Sequence, residues 1–98
     1  MSKENRDEEF WQITDDFIKL ANDQCDKHKN GKVSTSILFS AARFNSFMYA
    51  SSAKKLDDFQ KDKELAVEYL TEQYKKVLLE NLNDYEKNYS DYLNNKKS

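Results

Sequence analysis

Proline is absent from this chain of 98 residues, and Gly31 is its only glycine. Sandwiches and barrels need a tight turn between each pair of short strands, and glycine and proline form most such turns. Helical proteins need far fewer turns. We therefore predict an all-α protein, and the length fits one domain with one hydrophobic core.

Charge and hydropathy exclude several classes of function. Lys and Arg number 16, Asp and Glu number 18, and the net charge is −2, so no extended field of one sign is expected. Neither nucleic acid nor a membrane is therefore an expected partner. The charged start, residues 1–9, leads into no apolar run of the kind found in signal peptides. A single cysteine agrees with a reducing compartment, and we predict a cytoplasmic protein.

Helix one is indicated by apolar residues that recur every three or four positions after the charged start. Asn5, followed three residues later by Glu8, resembles a capping box, so we place the helix from about Arg6 to about Lys29. Its apolar positions occupy roughly half of the helical circumference, which is wider than the stripe of a simple surface helix. We therefore expect helix one to contact two neighbours.

A turn and a second helix follow. Gly31 is predicted to end helix one with a left-handed residue, and Ser34 is predicted to cap helix two. Val33, just before that cap, is expected to pack on Leu38, at the fourth helical position, as a hydrophobic staple. Helix two, about residues 35–51, is apolar on nearly every side, which is typical of a buried central helix.

Helix three is predicted to begin at about Asp62 and to run for about 30 residues, after a polar connection. No proline or glycine interrupts this segment, so we interpret it as one continuous helix that extends beyond its partners. An alternative remains open, in which Asn83, with Glu86 three residues on, caps a short fourth helix that folds back.

The predicted architecture is a three-helix bundle in which helices one and three cover a very apolar helix two. A single helical domain spans residues 1–98, since no internal repeat or low-complexity segment divides the chain. The ends, residues 1–5 and 94–98, are expected to be frayed tails.

Two segments carry a family resemblance. The run NGKVSTSILFSAARFNSFMYASSA, from Asn30 to Ala53, and the run AVEYLTEQYKKVLLENLNDY, from Ala66 to Tyr85, resemble domain-of-unknown-function family 3144. The resemblance extends over most of the chain. It implies a small, helical, cytosolic bacterial protein, and it assigns no activity and no catalytic residue.

The stretch DKHKNGKVSTSI, Asp26 to Ile37, follows part of the pattern of a calcium-binding helix-loop-helix. Asp26 stands at the first ligand position and Gly31 at the sixth, where that loop needs its sharp turn. His28 stands at the third position, where calcium prefers oxygen, and Ile37 replaces the glutamate that would supply two ligands. One carboxylate remains, so we favour a helical hairpin without metal and keep metal binding as an alternative.

Four polar or reactive side chains stand in or beside apolar runs. Cys25 and His28 are the only residues of their types, so we expect a core cysteine beside a surface histidine rather than a metal site. Arg43 lies at the centre of the most apolar helix and is expected to pair with a carboxylate of another helix. Asn45 lies about 200° away on the helical wheel and shares no site with Arg43. Both are predicted to be structural polar residues.

The strongest functional indication is a stripe of aromatic residues on helix three. Tyr85, Tyr89 and Tyr92, with Leu82, are spaced as in the seam of a coiled coil. Tyrosine suits a partly wet partner surface, and exposed aromatic patches mark association sites. We predict that this stripe is an interaction surface, with packing inside the chain as the alternative of equal weight.

These patterns together predict a noncatalytic interaction or assembly module that binds a protein partner or forms a homo-oligomer. No carboxylate stands in an apolar run, and no glycine-rich loop is present, so neither an enzyme nor a cofactor is expected. The alternative is a small-ligand or metal-binding protein, with its site at the turn between helices one and two or around Arg43. An enzyme that uses Cys25 is a third and weaker interpretation.

The hairpin interpretation predicts that calcium at micromolar concentration leaves the amide resonances of residues 26–37 unshifted, because the loop has too few carboxylates to hold the ion. An NMR titration of the isotopically labelled chain measures this. Saturable shifts confined to those amides would favour the metal-binding alternative instead.

Overall fold

The structure of the protein, a computed structural model, describes residues 6–94. Every regular element in that range is an α-helix, which confirms the predicted all-α class. Of the tails predicted to fray, 1–5 and 94–98, all but Asn94 lie outside the described residues. The helices are α1 (Glu8–Cys25), α2 (Asn30–Ser52), α3 (Leu56–Lys87) and α4 (Tyr89–Asn94).

The first turn of α1 is capped by Asp7. Its side chain accepts a hydrogen bond of 2.9 Å from the backbone N–H of Phe10, and Glu8 and Glu9 place negative charge at the positive end of the helix. The cap predicted at Asn5 lies outside the described residues. The helix ends at Cys25, four residues before the predicted Lys29, and the N–H groups of residues 26–28 donate to the carbonyl oxygens of Asp23 and Gln24 to close a turn.

The turn between α1 and α2 contradicts the prediction made for Gly31 and Ser34. The chain turns over residues 26–29, and α2 begins at Asn30. Gly31 therefore lies in the first turn of α2 with no left-handed backbone, and Ser34 lies inside the helix.

Burial of Val33 accounts for this early start of α2. Val33 is 7% exposed and is the one buried side chain among residues 6–92. Beginning the helix at Asn30 places Val33 in the seam with α1. Burying a valine contributes about 1.5–3 kcal/mol, against about 1 kcal/mol for an N-cap such as Ser34. The packing contribution is the larger of the two.

The later helices also differ from their predicted limits. Residues 53–55 connect α2 to α3, which begins at Leu56, six residues before the predicted Asp62. The two acidic residues that follow, Asp57 and Asp58, favour a helix start at this point. The long helix is not continuous to its end, because it breaks at Asn88, five residues after the break considered at Asn83.

The helices pack loosely within one chain. α1 lies on α2 as a hairpin, and α2 touches α3, but the radius of gyration is 16.2 Å, against roughly 13 Å for a compact domain of this length. The predicted enclosure of helix two is wrong for the single chain, because Phe39, Phe44 and Phe47 are 70%, 63% and 60% exposed.

One ion pair joins the beginning of the described chain to α3. The Arg6 guanidinium donates from Nη1 and Nη2 to the two carboxylate oxygens of Glu80 over 2.8 and 3.1 Å. The hydrogen bond with Glu80 raises the pKa of Arg6. The guanidinium also lies 5.9 and 5.8 Å from the ring centroids of Phe10 and Trp11. This arrangement holds the start of α1 beside the second half of α3.

Replacing the cap, Asp7→Ala, is expected to lower the free energy of unfolding by about 1 kcal/mol, because the Phe10 N–H loses its acceptor. The matched variant Asp7→Asn keeps an acceptor oxygen and is expected to retain most of that stability. Urea unfolding at one fixed protein concentration measures both. Equal losses in the two variants would assign the effect to the negative charge rather than to the hydrogen bond.

Candidate interaction surface

Six large apolar side chains of α2 are exposed and are here called the α2 surface; two of them, Ile37 and Phe44, also line the groove described below. All of them are classed as exposed, although each is of a type usually found inside proteins. Contiguous apolar patches of this kind on a folded protein mark association sites. The α2 surface consists of Ile37, Leu38, Phe39, Phe44, Phe47 and Met48.

A groove between α1 and α2 adjoins this surface. It encloses a cavity of about 680 Å³, which is within the range of small-molecule sites. Its polar side chains include His28 and Lys32, from the turn and the first turn of α2. The apolar walls comprise Phe17, Ile18, Leu20, Val33, Ile37 and Phe44.

The charges of the helices differ in sign. α2 contains Lys32 and Arg43 and no carboxylate. α1 contains five carboxylates and only Lys19 as a base, and α3 has more acidic than basic residues as well. The α2 surface is therefore apolar with a small positive charge, between two helices that are acidic.

Arg43 and Asn45 occupy different environments. Asn45 is half-buried and lines the groove. Arg43 is exposed and lies outside the groove, and no carboxylate among residues 6–94 pairs with it, in contrast to the predicted ion pair. The expectation was wrong for the single chain because α2 is not enclosed, so Arg43 remains in contact with solvent.

Cys25 and His28, the two candidate metal ligands at the turn, differ in their exposure to solvent. Cys25 is half-buried at the end of α1, while His28 is exposed and lines the groove. Within the described part of the chain, no three His, Cys, Asp or Glu side chains gather as metal ligands. The calcium-loop alternative needs an open loop up to Ile37, whereas the structure has residues 30–37 as helix.

The predicted tyrosine stripe is divided by the break at Asn88. The Asn88 amide donates to the backbone oxygen and to the side chain of Asp84, and the chain then turns into α4. Tyr92 returns to Tyr85 with 4.2 Å between ring centroids, and its hydroxyl donates to Asp84 Oδ2 over 2.9 Å. This bond raises the pKa of Tyr92.

Other members of the stripe remain open to solvent. Leu82 and Tyr89 are exposed, and Tyr85 is only slightly more covered. Two of the three tyrosines are thus engaged with each other, and the role of the stripe in binding a partner stays a prediction. More large apolar side chains are exposed on α2, six, than in the stripe, three. In the sequence, the indication of this was that apolar residues of α2 point in nearly every direction around the helix.

None of the helices described in residues 6–94 combines the length and the apolar character that crossing a lipid bilayer requires.

Comparison with known proteins gives two matches. A family model described as "Protein of unknown function (DUF3144)" matches residues 10–86, in agreement with the resemblance in the sequence. The chain is also similar to the "NMR structure of the protein NB7890A from Shewanella sp", with 30% sequence identity and a TM-score of 0.73. That match covers 90% of this chain and 94% of the Shewanella chain. No curated protein sequence matches.

The Tyr92–Asp84 bond predicts one tyrosine that ionises late. The hydrogen bond to Asp84 raises the pKa of Tyr92 in the folded state. The stability that this bond contributes is therefore fully present below the ordinary tyrosine pKa of about 10, and it is lost as the pH rises through the pKa of Tyr92 in the folded state. NMR titration of the tyrosine rings measures this. Tyr92→Phe is expected to remove the late titration, and Tyr89→Phe to leave it; the reverse result would contradict the assignment.

Proposed function

The chain belongs to the family of proteins of unknown function DUF3144, whose model matches residues 10–86, and we propose that it is a noncatalytic protein-interaction module. Its binding surface in this proposal is the α2 surface. The observation that carries this proposal is the exposure of the aromatic side chains of α2 in the single chain. Phe39 and Phe47 are the clearest members, because they lie outside the α1–α2 groove as well.

The energetics of folding support a partner. Fixing the backbone costs about 1–2 kcal/mol per residue, and burial of apolar side chains must offset most of that cost. Among residues 6–92 only Val33 is buried, and isolated helices without packing are marginal in water. A protein bound over the α2 surface supplies the missing burial.

The proposal also retains the predicted bundle in a different form. A helix that is apolar on all sides belongs in the centre of a packed structure. In our proposal the covering helices come partly from the partner, so that α2 becomes central only in the complex. Leu82 and Tyr89, exposed near the end of the chain, are a second contact region in this proposal, and the cytoplasm is its expected location.

A small apolar ligand in the groove is the alternative function. The cavity of about 680 Å³ and its walls of Phe17, Ile37 and Phe44 favour it. A ligand of that size would cover the groove and leave Phe39 and Phe47 exposed, because these two do not line it. The protein partner covers both regions and is therefore the better-supported candidate.

Photo-crosslinking in the producing cells tests the proposal. A benzophenone amino acid in place of Phe39 is expected to form a light-dependent adduct with a polypeptide, because a bound protein lies against that position. The matched control carries the same amino acid in place of Gln60, an exposed polar position on α3. Denaturing electrophoresis and mass spectrometry identify the adduct.

An adduct at position 39 that is absent or much weaker at position 60 supports a protein-interaction surface. Illumination that yields no polypeptide adduct at position 39, or equal labelling at both positions, would contradict it. In that case, a rise of the melting temperature with an added apolar ligand would favour the groove-binding alternative.

A further inference from the structure

We infer that the partner on the α2 surface is a second copy of this chain, so that the protein is an obligate homodimer in which the α2 of each copy packs against α1 and α3 of the other. This inference rests on the proposed function, since it names the partner of the same surface. Three observations carry it: the accessible area of the chain, its missing core and the distribution of its charge.

The accessible area is too large for a folded monomer. The chain exposes 9057 Å² at a mass of 11.6 kDa, whereas folded monomers of that mass expose about 5,800 Å². The excess is about 3,200 Å². If each of two chains covered only half of its excess, the interface would total about 3,200 Å², within the range of about 2,000–5,000 Å² for obligate homodimers.

The missing core requires a partner that is present whenever the chain is present. A chain that buries one apolar side chain within residues 6–92 has no stable folded state as a monomer before it meets its partner. A second copy meets this requirement, because it is made together with the first. Closed twofold pairs are also the most common form of soluble oligomer.

The charges determine which surfaces meet. Two α2 helices that crossed at their centres would bring Arg43 close to Arg43 of the second copy, and like charges repel. Against α1 or α3 of the second copy, Arg43 instead meets helices that are rich in carboxylates. The pairing of α2 with α1 and α3 therefore buries the aromatic side chains and gives Arg43 an acidic partner, which it lacks among residues 6–94 of the single chain.

The groove fits the same arrangement. The groove lies between α1 and α2, and its walls are mostly apolar, with Lys32 among its polar residues. An acidic helix with exposed leucines matches this lining, and α3 is such a helix, with Leu65, Leu79 and Leu82 all exposed. A helix of the second copy in the groove accounts for the cavity without any small molecule.

The purified full chain tests the inference through its mass. Sedimentation velocity and light scattering over a hundredfold dilution are expected to give twice the chain mass, with a melting temperature that rises with protein concentration. Arg43→Glu places a carboxylate opposite the acidic helices, and we expect it to raise the dimer dissociation constant at least tenfold. Arg43→Lys keeps the charge and is the matched control, for which we expect a change of less than threefold.

A second measurement covers the case in which Arg43→Glu does not fold. NMR of a wild-type sample that mixes labelled and unlabelled chains is expected to show contacts between the Phe39 ring and residues of α1 or α3 from the other copy. A folded protein with the mass of one chain at all concentrations would overturn the inference. So would a dimer without these contacts, or with equal dissociation constants for Arg43→Glu and Arg43→Lys.

The two experiments give different outcomes if only the dimer inference is wrong and if the proposed interaction module is wrong as well. A folded monomer in purified form, together with a crosslinked adduct of position 39 and a different polypeptide, would end the dimer inference and leave the interaction module standing. A folded monomer with no polypeptide adduct would end both.

Discussion

A chain that folds must offset the entropy of its ordered backbone with buried apolar area, and within residues 6–92 of this protein only Val33 is buried. The helices form because their residues favour helix and because α1 and α2 meet at Val33. The larger apolar side chains of α2 contribute little to that offset while they are in water. In the proposed interaction module, this deficit links the fold to the function, because a partner that covers α2 supplies the missing burial.

The way the helices are connected keeps the α2 surface open. The links at residues 26–29 and 53–55 are short, and α3, with 32 residues, is longer than the 23-residue α2 that it touches. The pair of Arg6 with Glu80 fixes the start of α1 beside the second half of α3. About one turn further along, α3 ends where Tyr92 turns back to Tyr85 and Asp84. Both contacts lie near the C-terminal end of α3, and neither covers the apolar side chains of α2.

The Shewanella protein shares this helical arrangement over most of both chains, at a TM-score of 0.73. The arrangement is therefore a property of more than one sequence. An exposed apolar helix is costly in solution because it promotes nonspecific association. In this chain, the exposure of α2 is consistent with the interaction module proposed for the α2 surface.

The sequence by itself determined the all-α class, the approximate positions of three long helices and the family, because proline and glycine are scarce and apolar periodicity is a local property. It did not determine the helix ends near Gly31 and Asn88. Those ends depend on contacts between helices or between distant turns, such as the burial of Val33 and the return of Tyr92 to Asp84. It predicted a buried central α2, whereas α1 and α3 of the same chain leave α2 uncovered. Only the tertiary structure decided that point, because the packing of helices depends on their relative positions in space, which no periodicity along one helix encodes.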